Sequence, residues 1–375
     1  MSENNEIKEP LNKNYKVPKL RFPEFNDEWN NLRLGDILKI QNGKDQKEIE
    51  ISSGIYKIYG TGGVIGYTNN FLYNKESVGI GRKGTINRPF YFNEPFWTVD
   101  TLFWSKIKEK NFPKFIYYLF FTIDWNKLNQ STGVPSLTSH VIEHQKIVIP
   151  KLDEQKKIAM FFTIIDKKID VINSKLSILK KYKEGVFLGT RKCSKKIALK
   201  NILSEVNIKT KYNNQCEILS STSIGLFSQK EYFKHQVASE NNVGYKVIKK
   251  GQLLFSPQNL WLGNINLNND FEIGMVSPSY KIYEIDNSIN SSWLISMLKS
   301  QNMLYKYKQI SEQGASVVRR NLDLSQFLEI TLDIPDNQIQ IGITLETIDK
   351  KINALSNLLI NLKNLKMQLL NEMFI

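Results

Sequence analysis

The sequence predicts an α+β fold in which two globular α/β domains are separated by an antiparallel pair of long coiled-coil helices. Two observations predict the helices: a motif that repeats at an offset of 183 residues, and heptad spacing of apolar residues around each copy. A third observation predicts the domains, because each helical stretch follows a segment of short alternating runs separated by Gly, Asn and Pro turns. The chain order is therefore domain, helix, domain, helix.

The repeated motif reads IIDKKI at 164–169 and TIDKKI at 347–352, and each copy lies downstream of an Ile-Pro pair. Apolar residues follow in alternating steps of four and three, interrupted by Lys183 in the first helix and Lys366 in the second. One helix cannot bury such a seam alone, so we expect the two helices, each about 50 Å long, to pack together. The residues assigned to this spacer coiled coil are Ile165, Ile169, Ile172, Leu176, Ile348, Ile352, Leu355 and Leu359. Lys183 and Lys366 are expected either to face the ends of the other helix or to set the register at a cost in stability.

The domain boundaries follow from this layout. Leu34–Leu38 and Leu199–Leu203 open the two globular domains with similar sequences. Predicted strands include 77–80 and 89–92 in the first domain and 245–248, 252–255 and 280–285 in the second, with helices at 113–128 and 292–308. We predict a mobile tail at 1–16, the first domain at 17–150, the first helix at 151–190, the second domain at 191–334 and the second helix at 335–375.

Composition limits the functional class. The formal net charge of +14 favours a polyanionic partner, nucleic acid before anionic membrane. The apolar runs are too short to span a membrane, and the N-terminal residues lack the apolar stretch of a secretory signal. Two cysteines and three histidines give no metal-binding pattern and fit a reducing cytoplasm.

No familiar catalytic motif is present. The glycine-rich Gly60–Gly66 stretch has Ile65 where a dinucleotide-type loop needs its third glycine, so it is better explained as a turn between strands. The acidic residues of Asp153–Lys156 fit the first turn of a helix, where they meet the positive end of its dipole. Gly43-Lys44 is followed by Asp45 and has no upstream glycine at the spacing of a phosphate-binding loop. We therefore predict that the chain is not an enzyme.

Several motifs resemble one known family along the chain from Val17 onward. They are Val17–Pro23 with Trp29, Tyr59–Tyr67 followed by Ile80–Gly84, Thr132–Leu137, and Ile149-Pro150 through Glu154-Gln155. Together with the domain order, they resemble the specificity subunit of a Type I restriction-modification system. The second copy departs from this pattern at two places. It has Asp336-Asn337-Gln338 at the helix junction and Gly314–Val318 in place of the Gly-Val-Pro-Ser-Leu run. We therefore expect the same architecture, but not the same detailed geometry at that junction.

The resemblance implies a function. Each domain would be a target-recognition domain that reads one half of a bipartite double-stranded DNA target, with the helix pair as the spacer. Two methylation subunits would dock on the helices, and restriction subunits would join them. S-adenosylmethionine, ATP and Mg would be bound by those partners, and this chain would need no cofactor or metal.

The DNA-contact candidates of the first domain lie mainly on a turn after a predicted strand. Arg82 and Lys83 place two cations there, and Asn87 and Arg88 follow. Arginine can bind guanine edges with two hydrogen bonds, whereas lysine more often neutralises phosphate. Lys44, Thr61 and Ser136 are further candidates. The alternative for all of them is a solvated surface turn.

The candidates of the second domain lie on a polar loop after an apolar run. Gln258 and Asn259 have the amide geometry that reads adenine. The other candidates are Ser256, Trp261, Ser279, Arg319 and Arg320. Arg191-Lys192 and Lys195-Lys196 are predicted to form a basic linker that contacts the DNA backbone or solvent.

Two other functional classes remain open at this point. A self-contained DNA methyltransferase or nuclease with a fused coiled coil would need a cofactor loop and a catalytic motif, and binding of S-adenosylmethionine by the lone chain would support it. A coiled-coil scaffold without a DNA role would leave the duplicated domains and the charge of +14 unexplained.

Overall fold

The computed structural model describes residues 17–188, 193–232, 241–314 and 319–375. The predicted tail at 1–16 and Arg191-Lys192 of the predicted linker lie outside the described residues. The chain divides into two compact units, Met1–Asn173 with Asn357–Ile375, and Ser174–Ser356. Each unit therefore contains part of both long helices.

The first unit is built around an antiparallel four-stranded sheet of order β2-β8-β5-β6, beside a sheet of order β4-β3-β7 and a β1-β9 pair. Its elements are β1 (Asn30–Arg33), α1 (Leu34–Ile37), β2 (Leu38–Gln41), β3 (Tyr56–Gly60), β4 (Gly63–Thr68), β5 (Ser77–Gly81), β6 (Phe90–Phe92), β7 (Phe96–Thr98), β8 (Leu102–Ile107), α2 (Pro113–Thr122), a 3₁₀ turn (Trp125–Leu128), α3 (Ser139–His144), β9 (Lys146–Ile149) and the start of α4 (Leu152–Leu188).

The second unit has a four-stranded antiparallel sheet of order β11-β18-β15-β16 and a β10-β21 pair. Its elements are β10 (Cys193–Ala198), a 3₁₀ turn (Leu199–Asn201), β11 (Leu203–Val206), β12 (Leu219–Ser221), β13 (Leu226–Ser228), α5 (Gln229–Tyr232), β14 (Lys246–Lys249), β15 (Leu253–Phe255), a 3₁₀ turn (Leu260–Leu262), β16 (Ile265–Leu267), β17 (Ile273–Val276), β18 (Lys281–Ile285), α6 (Ser291–Leu298), α7 (Gln301–Gln309), β19 (Ser311–Gln313), β20 (Arg320–Leu322), α8 (Leu324–Glu329), β21 (Thr331–Pro335) and α9 (Gln338–Met373).

The two four-stranded sheets are copies of one another. Leu38 pairs with Ile107 in the first and Leu203 with Ile285 in the second, which aligns β2 with β11 and β8 with β18. Gly79 then pairs with Trp104 as Leu254 pairs with Ile282, so the central strands β5 and β15 also correspond. Every residue of both strands is buried, as is typical of a central strand that is covered on both faces.

Helices cover one face of each sheet. In the first unit, Phe115, Ile116 and Leu119 of α2 share a core with Val78 and Ile80 of β5. In the second, Trp293 and Leu294 of α6 share a core with Leu253 and Phe255 of β15. Burial of these large apolar side chains is the main force that fixes each helix on its sheet.

The two long helices pack against each other, which confirms the predicted fold class. In the first unit, Ile158 and Phe162 near the start of α4 share a core with Leu370 and Met373 at the end of α9. In the second unit, the end of α4 packs against the start of α9. This pairing of starts with ends makes the helices antiparallel. Four of the eight assigned seam residues are buried: Ile165, Ile172, Leu176 and Ile348. The other four are half-buried: Ile169, Ile352, Leu355 and Leu359.

Each lysine that interrupts the seam bonds to the aspartate of the repeated motif on the other helix. Lys183 Nζ lies 2.6 Å and 2.7 Å from the two carboxylate oxygens of Asp349. Lys366 Nζ lies 2.5 Å from Asp166 Oδ1. The repeat therefore places two equivalent ion pairs between the helices.

The junction into each long helix has the same geometry despite its different sequence. Gln155 Oε1 accepts the N–H of Phe112, the residue that precedes α2, at 2.9 Å. Gln338, at the same place in the repeat, accepts the N–H of Asn290, which precedes α6, at 2.7 Å. The departure of the second copy from the family pattern therefore leaves this contact intact.

The predicted basic linker is wrong for its described part. Lys195 and Lys196 belong to β10, which pairs with β21 through Ile334 and Asp333. This strand has the place that β1 has in the first unit, where β1 pairs with β9 ahead of the long helix. The pairing of backbone amides and carbonyls explains why these residues form a strand in spite of their charge.

Candidate nucleic-acid interface

In the first unit, two loops meet beyond the end of β5. The loop after β5 carries Arg82 and Lys83, and the loop before α3 carries Pro135 and Ser136. The Leu137 N–H donates to the Arg82 carbonyl at 2.9 Å, and the Gly84 N–H donates to the Pro135 carbonyl at 2.9 Å. Between these two hydrogen bonds, Lys83 and Ser136 pair as an isolated antiparallel β-bridge. The candidates Arg82, Lys83 and Ser136 are thus adjacent.

The turn between β3 and β4 joins this cluster through two contacts. Arg88 Nη1 donates to the Gly62 carbonyl at 3.1 Å. Thr61 Oγ1 lies 3.8 Å from the position that a Cβ atom on Gly84 would occupy. Gly84 has a φ of +86°, a conformation that favours glycine. Thr61 and Arg88 are therefore part of the same surface.

Lys44 is tied to this surface by the segment that follows β7. Its N–H donates to the Thr98 carbonyl at 2.9 Å, and its own carbonyl accepts from Trp97 Nε1 at 3.0 Å. Three residues on, the Thr101 carbonyl accepts the N–H of Arg82 at 2.7 Å. The Lys44 side chain is exposed.

The cations of this surface differ in how freely they can meet a ligand. Arg82 is half-buried, and its guanidinium lies 3.4 Å from the Asp100 carbonyl and 6.0 Å from the centre of the Phe103 ring. Arg88 lies 5.5 Å from the centre of the Phe90 ring. Lys83 and Asn87 are exposed. Lys83 is therefore more accessible to a ligand than Arg82 is.

Asn129 is a positioning residue that the sequence analysis missed. Its Oδ1 accepts the N–H groups of Ser131 at 3.1 Å and Ser136 at 2.9 Å, and its Nδ2 donates to the Ser131 carbonyl at 2.8 Å. Asparagine side chains commonly stabilise turns in this way. The signal in the sequence was the run of turn-forming residues from Asn129 to Gly133.

In the second unit, Gln258 has the place that Lys83 has in the first. Both follow the equivalent sheet residues Gly79 and Leu254 by four positions. The Gln258 carbonyl accepts the N–H of Arg320 at 3.0 Å, so the loop after β15 meets β20, the strand that precedes the short helix α8. The predicted contact loops of the two units are therefore structurally equivalent.

The remaining candidates of the second unit surround this junction. The Asn259 N–H donates to the carbonyl of Ser256, whose side chain is buried, and Trp261 stacks 5.9 Å from the Arg320 guanidinium. Ser279 is exposed and precedes β18 at the same end of the sheet, because Phe255 pairs with Lys281.

The adjacent arginines Arg319 and Arg320 have different environments. Arg320 Nε donates to Ser311 Oγ at 2.8 Å, and its Nη2 donates to the carbonyls of Lys308, at 3.2 Å, and Ser311. The Arg319 side chain is exposed. Arg320 therefore holds the local fold, while Arg319 is accessible.

Metal-binding clusters and membrane-spanning helices are both absent from the described residues. Within 17–188, 193–232, 241–314 and 319–375, no group of three or more His, Cys, Asp and Glu residues is placed to hold a metal ion. In the same ranges, no helix combines the length and apolarity that crossing a membrane requires.

Comparison with known proteins finds matches in sequence. Residues 26–181 match the Type I restriction modification DNA specificity domain. The Type I restriction enzyme MjaVIII specificity subunit of Methanocaldococcus jannaschii is 24% identical over 259 residues, which cover 60% of this chain and 55% of that protein. The match thus spans about half the length of this relative.

The fold also matches a solved structure over most of its length. The Type I restriction-modification system S subunit from M. genitalium covers 96% of this chain and 99% of its own, with a TM-score of 0.68 and 16% identity. Residues 26–181 therefore resemble the Type I restriction modification DNA specificity domain, and the chain as a whole has the fold of the M. genitalium S subunit.

Proposed function

We propose that this chain is the sequence-specific DNA-recognition subunit of a Type I restriction-modification complex, and that each unit is a target-recognition domain for one half of a bipartite target. The observation that carries the proposal is the equivalence of two loops. Lys83 and Gln258 follow equivalent central strands, β5 and β15, of the two four-stranded sheets, and each loop is hydrogen bonded to the segment that precedes a short helix, α3 or α8.

The side chains on these loops suit DNA. Lys44 and Arg88 offer cations to phosphate, Lys83 offers its ammonium to the guanine acceptors of the major groove, and the net charge of +14 favours approach to a polyanion. The Gln258 amide can donate to and accept from an adenine edge in the major groove. Lys83 and Gln258 differ chemically at one structural position, which fits two half-sites of different sequence.

We further propose that the long helices set the spacing between the two half-sites and dock two methylation subunits. In the first unit, α4 exposes Met160, Ile164 and Val171 on the face away from its seam, with exposed fractions of 62%, 59% and 52%. Such apolar residues are typical of a protein-binding surface. Restriction subunits join this complex in the cytoplasm. The partner subunits bind S-adenosylmethionine, ATP and Mg, and this chain is not itself an enzyme.

Base-resolution methylation mapping tests the proposal in cells that express this chain with its methylation partner. The expected result is a methylated motif in two short parts around a fixed gap, absent when either the chain or the partner is omitted. Lys83→Gln should relax one half of the motif and Gln258→Leu the other. Lys75→Gln, an exposed lysine before the opposite end of β5, is the matched control and should leave the motif unchanged.

Two outcomes would overturn the proposal. The first is the absence of any chain-dependent motif despite an active methylation partner. The second is that either substitution changes both halves of the motif together, since each loop lies in a different unit.

A further inference from the structure

The loop before α3 presents an apolar side chain to solvent beside the cations of the first unit. Val134 is 65% exposed, and the Pro135 next to it accepts the N–H of Gly84 through its carbonyl. An isolated exposed apolar residue is ordinary on a protein surface. The way this one is held is the observation that matters.

The loop around Val134 is fixed from several sides. Asn129 bonds to the backbone of Ser131 and Ser136, which stand on either side of the tip. The Gln130 N–H donates to the Ser136 carbonyl at 3.2 Å, and the Gly133 N–H donates to Ser131 Oγ at 3.3 Å. With the Gly84 bond, these contacts hold an apolar tip in place next to Lys83.

We propose that Val134 contacts the C5-methyl group of a thymine in the half-site that the first unit reads. The inference rests on the proposed function and adds a base to it. Thymine alone among the four DNA bases presents an apolar group in the major groove, and small aliphatic side chains are suited to contact it. Lys83 on the adjoining loop contacts the same half-site, and the braced loop directs Val134 to the base edge.

Deoxyuridine substitution tests this contact directly, because it removes only the C5-methyl group. The protein is the complex of the full chain with its methylation partner, and the DNA is a duplex with the mapped motif. In the half-site that Lys83→Gln relaxes, each thymine is replaced singly by deoxyuridine. One replacement should weaken binding by the wild type about fourfold, the size expected for one buried methyl group.

Val134→Ala isolates the residue responsible. This variant should bind the thymine duplex about fourfold more weakly than the wild type does, and the critical deoxyuridine should weaken its binding no further. Ile55→Ala is the matched control, since Ile55 is a still more exposed aliphatic residue of the same unit, at 79%. It should respond to deoxyuridine as the wild type does.

Three results would overturn the inference while leaving the proposed function intact. They are a half-site without thymine, a wild type that is indifferent to every deoxyuridine, and a Val134→Ala variant that remains as sensitive as the wild type. The absence of a chain-dependent motif in the mapping experiment would instead remove the proposed function itself.

Discussion

Lys366 donates to Asp166 across the two long helices at 2.5 Å, and the repeat reproduces this contact as Lys183 with Asp349. The two environments differ. Asp166 also accepts the Tyr118 hydroxyl at 2.7 Å, and the Lys366 ammonium lies 5.2 Å from the centre of the Tyr118 ring. The side chains of Lys366 and Asp166 are 13% and 26% exposed, against 32% and 44% for Lys183 and Asp349. One repeated interaction is therefore more buried in the first unit than in the second.

This difference predicts unequal coupling energies. In a double-mutant cycle of Asp166→Asn and Lys366→Met, each single change should cost about 2 kcal/mol and the coupling should be above about 1 kcal/mol, because each leaves a partly buried group without its partner. The matched cycle of Asp349→Asn and Lys183→Met should give a coupling below about 1 kcal/mol, since water screens the more exposed pair. Urea unfolding of the wild type and the six variants measures both. Equal couplings would contradict the burial argument.

The helix pair could be predicted from the sequence because its pattern repeats over many residues, whereas helix ends could not. The helix expected at 113–128 stops at Thr122, where Ile123 is extended and Asp124 caps a separate 3₁₀ turn. The helix expected at 292–308 divides at Ser300, whose side chain accepts the N–H of Met303 and starts α7. Capping by single polar side chains thus overrides an apolar pattern that continues through the break.

The two equivalent glutamines predict a matched pair of destabilised variants. Gln155 and Gln338 are buried, and each also donates through Nε2 to a carbonyl, that of Pro150 or Ser288. Substitution by methionine would leave a backbone N–H and a carbonyl without partners, so Gln155→Met and Gln338→Met should each lower the free energy of unfolding by about 2 to 3 kcal/mol. Gln368→Met, on an exposed position of α9, should cost less than about 0.5 kcal/mol. Thermal and urea unfolding measure all three, and a neutral Gln155→Met would show that water replaces the amide.

The candidate contact residues were easier to choose than to rank from sequence. Lys83 and Gln258 were selected for their chemistry alone, and their shared place in the two sheets depends on strand registers that no local pattern reports. Asn129 escaped notice because its side chain acts on backbone groups up to seven residues away. Long-range contacts of this kind become visible only in the folded chain.

Arg319 and Arg320 are adjacent in sequence, but we expect their substitution to affect stability and DNA binding differently. Arg320→Gln should lower the free energy of unfolding by about 1 to 2 kcal/mol, because the guanidinium holds the Lys308 and Ser311 carbonyls and Ser311 Oγ. Arg319→Gln should leave stability within about 0.5 kcal/mol. If Arg319 contacts a phosphate, its substitution should also reduce the salt dependence of DNA binding by about one unit of slope. Unfolding and binding at several salt concentrations separate the two roles, and a folding defect in Arg319→Gln would refute the assignment.

Lys299, which directly follows α6, has a pKa that the folded structure lowers. Burial lowers the pKa of its ammonium to about 8, the charge of Lys183 lowers it too, and that of Asp349 opposes them. The ammonium donates to Asn266 Oδ1 at 2.7 Å and to the Ser223 carbonyl at 3.3 Å, both neutral. The folded unit therefore holds a cation whose charged form it disfavours.

The lowered pKa predicts a dependence of stability on pH that one substitution should remove. Between the folded pKa of about 8 and the ordinary value of 10.5, the unfolded chain binds more protons at Lys299 than the folded chain does, so the free energy of unfolding should rise with pH. Below pH 8 both states hold the proton, and this contribution to the pH dependence disappears. From pH 7 to pH 10, the wild type should gain about 2 kcal/mol relative to Lys299→Met, because other titrating groups contribute equally to both proteins. Urea unfolding of the two proteins across this range measures the difference, and parallel pH profiles would show that Lys299 keeps an ordinary pKa in the folded chain.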